Sequence, residues 1–326
     1  MGITPAGPFD VPESLARHWL SLPPNPNGKL NNDVLRPYYN GKDLTQQPRN
    51  MWIIDFGVGT SQEEAALYEA PFEYVVKEVK PKRLKQRSTI TQWWLHERSR
   101  PDMRNALRPL SRYLGTAMVS KHHIICWIPK QVLPANLLIV FARDDDYFFG
   151  VLQSRIHELW ARSTGTQLRE EESGYRYTPT STFETFPFPW PPGKEPSRGE
   201  ARRSPQHSGV GFAKDSQSIS VSASGSKSND QDHGANASPL QREQAIAQAA
   251  KELVELCDNW LNPYKDQPAG LDVTLKKRTL TNLYNDNPTW LQNAYRKLDE
   301  AVFAAYGWSS NLSDDDILAR LLELNL

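Results

Sequence analysis

Residues Gly165–Pro192 read GTQLREEESGYRYTPTSTFETFPFPWPP, and the reading of the whole chain turns on them. The stretch opens with charged side chains, Arg169, Glu170, Glu171 and Glu172. It then gathers Tyr175, Arg176 and Tyr177, and closes in a stiff Pro/Phe/Trp run from Phe186 to Pro192. Arginine beside glutamate beside tyrosine can match the donor and acceptor pattern on base edges. The same letters also describe a polar hairpin with a proline-rich exit. The flanking chain decides between the two.

Just upstream, Phe148, Val151, Leu152, Ile156, Leu159 and Trp160 recur at helical spacing. They predict one helix over Tyr147–Arg162 with a buried face that would hold the stretch rigid. The acidic triplet Asp144–Asp146 directly before it suits N-terminal capping far better than a metal. Asn136–Ala142 reads as an apolar strand, and Tyr113–Val119 and His122–Ile128 as strands paired around Ser120-Lys121. Gln92–Leu95 reads as extended and Pro101–Leu110 as helical. Further toward the N-terminus, Asn40-Gly41 signals a turn and Met51–Phe56 a strand. Ser61 with Glu64 forms a capping box for a helix running to about Glu69. Pro71 opens a second helix, Phe72 to about Leu84. Residues 1–30 hold one short helix marked by Leu15, Trp19, Leu20 and Leu22.

Downstream, residues 194–238 are rich in Ser, Gly, Lys, Gln, Asp and Asn, with almost no large apolar side chain. Such a segment is expected to be a disordered linker, because it cannot bury enough surface to offset its chain entropy. Amphipathic helices are then predicted at Ala245–Trp260, at Pro288–Tyr306 and at Ile317–Asn325, the last capped by Ser313 and Asp314–Asp316. The expected class is α+β. A mixed α/β domain (1–193) and a Ser/Gly-rich linker (194–238) would precede an all-helical C-terminal tail (239–326).

The chain has 326 residues, and its 38 Lys/Arg balance 38 Asp/Glu. No apolar run approaches the roughly 20 residues of a membrane span, and Met1–Pro12 is not a signal peptide. Cys126 and Cys257 are the only cysteines. They make neither a disulfide framework nor a zinc site, and they suit a reducing cytoplasm. The zero net charge hides a segment, Lys77 to Arg112, with 11 basic and 3 acidic residues. With Trp93, Trp94 and His96 interleaved, it fits a face that contacts phosphates, and a plain solvated face equally well. Lys82, Arg83, Lys85 and Arg87 are the candidates there for the DNA backbone, and Lys121 and His122 form a second polar cluster.

Catalytic signals are missing. Gly57-Val58-Gly59 is not followed by a third glycine and helix at nucleotide-loop spacing. There is no G-x-S-x-G, no P-loop, and no Asn/Asp-Pro-Pro-Tyr/Phe element of amino-methylating enzymes. His96, His122, His123 and His157 have no zinc-ligand spacing. The residues therefore nominate neither a catalytic group nor a metal.

Several phrases, in consistent order, carry a resemblance. They are Asp33-Val34-Leu35-Arg36-Pro37 with Asn40-Gly41-Lys42-Asp43-Leu44, Trp52-Ile53-Ile54-Asp55-Phe56, and Val119-Ser120-Lys121-His122. Asp145 to Leu152 with Ser154-Arg155-Ile156-His157 follows, then Tyr175-Arg176-Tyr177 with Thr182 to Pro187, then Leu275 to Tyr284. The chain resembles the C-terminal part of MmeI-like (type IIL) adenine-specific DNA methyltransferases of restriction-modification systems, nearly throughout except 194–238. In that family one polypeptide joins an endonuclease region, a helical spacer, a methyltransferase core using S-adenosylmethionine, a target-recognition domain and a helical tail. Only the last two are matched here. The resemblance thus implies a DNA recognition module, cytoplasmic, that binds no cofactor itself. Its implied partners are double-stranded DNA and a methyltransferase core, in cis or in trans. It implies base-reading roles for Arg169, Glu172, Tyr175 and Arg176. The rival readings are an intact enzyme with an unrecognised motif and a protein-interaction scaffold that does not bind DNA.

Overall fold

The computed structural model describes residues 1–167, 174–197, 237–263 and 277–325. The predicted linker lies mostly outside them, as do Arg169 and Glu172. Its first residues are nonetheless tied down. Arg143 pairs with the buried Glu195, and Ser197 donates from N and Oγ to Glu243 at 2.8 and 2.6 Å. Contacts to the body thus continue to Ser197.

Strand β1 (Asp10–Pro12) leads into helix α1 (Glu13–Leu20), where Glu13 pairs with Arg17 one turn on. Then come β2 (Leu35–Tyr39), α2 (Gly41–Thr45) and β3 (Met51–Ile54). Asn40-Gly41 does not turn a hairpin. Asn40 caps α2, accepting from Lys42 and Asp43 N–H, while the Asp43 carboxylate accepts from the Asn40 N–H at 2.8 Å. The reciprocal capping box outcompetes the turn. Helix α3 (Gln62–Ala66) has the Ser61/Glu64 box that the sequence predicts, though it ends sooner.

The helix expected over Phe72–Leu84 is built from α4 (Glu69–Tyr74), a π-helical turn at Val75–Val79, and α5 (Lys80–Gln86). Pro81 explains the widened turn: its ring cannot sit against the carbonyl four residues back. The Lys80 N–H reaches back five residues to Val75 O. Gln92–Leu95 is not extended but a run of turns. Arg83 is buried on α5 and donates Nη1 to the carbonyls of Gln92, Trp93 and Leu95, which a strand would need for its ladder.

Helix α6 (Pro101–Leu107) precedes the central strand β4 (Arg112–Ala117) and the short β5 (Val119–Ser120). Next are β6 (Cys126–Pro129), β7 (Leu133–Pro134) and β8 (Leu138–Phe141). The sheet order is β1-β3-β2-β7 in one layer and β6-β4-β8 in another. β4 does pair antiparallel with β6, from Arg112↔Pro129 to Gly115↔Cys126, but through a longer connection than Ser120-Lys121 alone.

Asp145 Oδ1 accepts from Phe148 N–H at 2.8 Å and starts α7 (Asp146–Gln153). The predicted single helix breaks at Ser154, whose extended backbone begins a second helix, α8 (Arg155–Thr164). Its hydroxyl donates to Val151 O at 2.8 Å. Strands β9 (Thr166–Gln167) and β10 (Tyr175–Arg176) follow, then a π-helical turn at Pro179–Phe183.

The tail is helical: α9 (Pro239–Leu261), α10 (Leu280–Asp286), α11 (Thr289–Tyr306) and α12 (Asp314–Asn325). It shares one core with the α/β part. Leu114, Phe148, Leu152, Trp160 and Tyr177 are buried in the same cluster as Ile246, Leu253, Leu298, Phe303 and Leu321. A second cluster, around Phe9, Ile53, Ile54 and Trp93, fills the N-terminal sheet. Among the described residues no helix is long and apolar enough to cross a membrane.

Candidate nucleic-acid interface

Three short strands form a separate antiparallel sheet in the order β5-β10-β9. Its register pairs Arg176 with Val119 on one side and with Thr166 on the other. Tyr175 pairs with Ser120 and Gln167. Directly opposed residues on neighbouring strands share a face, and successive residues alternate faces. Val119, Arg176 and Thr166 therefore make one row, and all three are exposed. The Arg176 side chain has no hydrogen bond or ion pair to a described residue, and it is exposed.

The other face is packed. Tyr175 is 6% exposed, its hydroxyl donates to His123 Nδ1 at 2.5 Å, and Arg162 lies over its ring at 5.0 Å. Burial raises the phenol's pKa and keeps it protonated. This corrects the expectation that Tyr175 reads a base: alternation turns it inward, one residue before the side chain that faces out. Its role is to anchor the strand. Gly174 shapes the approach. Its φ is +80°, and a Cβ there would come within 2.1 Å of the Ser120 carbonyl, so β10 seats against β5 only with glycine before it.

Beside the sheet, Asn285 of α10 draws together two side chains named from the sequence. Its Oδ1 accepts from Lys121 Nζ at 3.0 Å and from His122 Nε2 at 2.8 Å. Arg162, paired with Glu158, sits between them and the sheet, donating to the Lys121 carbonyl at 3.5 Å. Lys121 and Arg162, both exposed, thus adjoin the sheet through the Lys121 carbonyl and the Tyr175 ring.

The basic segment upstream divides by exposure. Lys82, Lys85 and Arg87 are exposed at the end of α5, with Lys82 3.8 Å from Glu78. Arg83 is not a surface residue: it is 4% exposed and spent on the carbonyls of the 92–95 loop. Burial lowers its pKa. Arg104 is held by Asp55 at 2.7 Å, and Arg112 by Asp146 at 2.7 Å and by the Trp127 ring at 3.6 Å. Much of the apparent patch is structural.

Arg169 and Glu172 fall between β9 and β10, outside the described residues. Sequence reasoning missed Val119 and Thr166. The usable signal was the hairpin's symmetry, which sets Thr166 opposite Arg176 once Gln167 is opposite Tyr175. It also missed Asn285, which is 163 residues from its partner His122 and carries no local signal.

A family model described as "MmeI, target recognition domain" matches residues 27–190. Among solved structures, the chain is similar to one reported as the structure of the Type IIL restriction-modification enzyme MmeI in complex with DNA. The identity is 20% and the TM-score 0.62, over 99% of this chain and 34% of that one. The chain thus spans about a third of that enzyme's length. No curated protein matches the chain.

Proposed function

The chain belongs to the MmeI target recognition domain family, and on that premise we propose that it is the DNA sequence-reading module of a restriction-modification enzyme. The observation that carries the reading is the outward row of the β5-β10-β9 sheet. A two-stranded β-ribbon fits the major groove of B-DNA. Arg176, exposed and with no side-chain partner among the described residues, can take guanine O6 and N7 with its fork, while the methyl groups of Val119 and Thr166 suit a thymine methyl. Arg169 and Glu172, between β9 and β10 in sequence, would extend the readout, with Glu172 accepting from cytosine N4. Lys121 and His122, with Lys82, Lys85 and Arg87 further off, supply the phosphate contacts that give affinity without sequence preference.

Adenine methylation and the type IIL class are part of the proposal, as is work in the cytoplasm beside a methyltransferase core. The S-adenosylmethionine chemistry would belong to that core. The glycine loop before α3 does not fit that cofactor. The Gly57-Val58-Gly59 loop leads into a five-residue helix whose N-terminal N–H of Glu64 is already taken by Ser61 Oγ at 3.1 Å. A binding selection over randomised duplexes tests the reading. An enriched sequence with a guanine that is lost on Arg176→Ala supports it, and uniform binding to all duplexes rejects it.

A further inference from the structure

Beneath the outward row runs a buried chain of hydrogen bonds that starts in the helical tail. The Tyr295 hydroxyl of α11 lies 2.5 Å from that of Tyr284 on α10, and 2.5 Å from Gln153 Nε2. Gln153, the last residue of α7, is 2% exposed. It also donates Nε2 to the His123 carbonyl at 2.9 Å, and its Oε1 accepts from the Ile125 N–H at 2.7 Å. A carbonyl and an N–H two residues apart thus dictate which end of the amide points where.

The next link is equally one-directional. His123 Nε2 is 2.6 Å from the Leu152 carbonyl, which can only accept, so the ring proton sits on Nε2. Nδ1 is then the acceptor for the Tyr175 hydroxyl at 2.5 Å. His123 is 3% exposed. Tyr175 and Arg176 are consecutive on β10, one facing in and one facing out. The backbone carrying Arg176 is therefore pinned through Tyr175, His123 and Gln153 to two tyrosines of the tail.

We propose that Gln153, His123 and Tyr175 are positioning residues for sequence recognition, through which the helical tail sets the height and tilt of Arg176 over the DNA. This rests on the reading of the outward row as the base-contacting face. A bidentate contact to a base edge depends on geometry, whereas attraction to phosphate falls off gently with distance. Loosening the chain should cost discrimination and spare non-specific affinity.

The test uses the 326-residue chain with the duplex enriched by selection and a scrambled duplex at fixed salt. Tyr175→Phe removes one oxygen and keeps the ring, so the fold should survive, as a cooperative melt would verify. Its ratio of enriched to scrambled affinity should fall roughly 3- to 10-fold, the worth of one hydrogen bond, with scrambled affinity unchanged. Tyr295→Phe, on the tail, should lower the ratio in the same direction. If both variants melt lower but keep the ratio, the chain only stabilises and the inference is overturned. A change with Tyr175→Phe alone removes the tail from it. If the unmodified chain prefers no duplex, the reading of the outward row has failed, and the inference fails with it.

Discussion

Gly150 of α7 sits so close to Ile246 of the tail helix α9 that a Cβ on it would come within 2.6 Å of the isoleucine Cγ2. Ala250 and Leu298 close the same spot, each with an atom 3.2 Å from that position. The recognition part and the tail meet here at backbone distance, which ordinary side chains would not permit. Gly150→Val should therefore destabilise the whole chain by about 1–3 kcal/mol, since overpacking a closed core forces shifts on both sides. Urea unfolding should still show a single transition. Two transitions, with only one displaced, would contradict a common core.

Backbone cleavage makes a second check on that union. A protease site engineered between residues 198 and 236 and then cut should leave two pieces that co-elute. The cluster joining Phe148 and Trp160 to Leu253, Leu298 and Phe303 holds them without the covalent link. Separation of the pieces on a sizing column would refute this.

Asp299 on α11 supplies a pH dependence of known sign. Its Oδ1 accepts from the Arg155 N–H at 2.8 Å, at the start of α8. Burial pushes its carboxyl up to about 6, against 3.8 in the open chain. Between those values the folded form keeps a proton that the unfolded form has lost, so stability falls as pH rises through 6. At pH 7 the buried charge costs stability. Asp299→Asn keeps the acceptor and removes the charge. It should stabilise by about 1–3 kcal/mol at pH 7 and leave stability unchanged at pH 3.5. Melts at the two pH values test this, and an equal shift at both would rule it out.

The basic residues should fail in different ways. Lys82→Ala or Lys85→Ala should weaken binding to every duplex alike and reduce the salt slope by about one unit per lost contact. Arg83→Ala should instead lower stability by about 2–4 kcal/mol, because it strands buried carbonyls. Salt titrations of DNA binding alongside urea melts distinguish the two. A normal melt for Arg83→Ala with a reduced salt slope would return it to the surface set.

What could be read from sequence was local. The Ser61/Glu64 box, the Asp145 cap, strand β8 and the long tail helices depend on residues within a turn or two of one another. Longer reach defeated the reading. Gln92–Leu95 has the letters of a strand, but its carbonyls answer to Arg83 on another element. Ser154 divides a helix whose apolar spacing continues through the break, so periodicity could not reveal it. At the interface, the cluster Tyr175-Arg176-Tyr177 was legible as important. Which member faces out depends on the pairing with β5, more than fifty residues earlier in the chain. Val119 owes its place beside Arg176 to that same pairing.

The alternation of β10 also separates two kinds of inheritance. Inner positions, Tyr175 and its partners, answer to the core, and a change there is felt as lost stability. Outer positions, Val119, Arg176 and Thr166, are exposed. If the outer row reads DNA as proposed, a lineage could rewrite it letter by letter, acquiring a new target each time, while the scaffold beneath it is passed on unaltered.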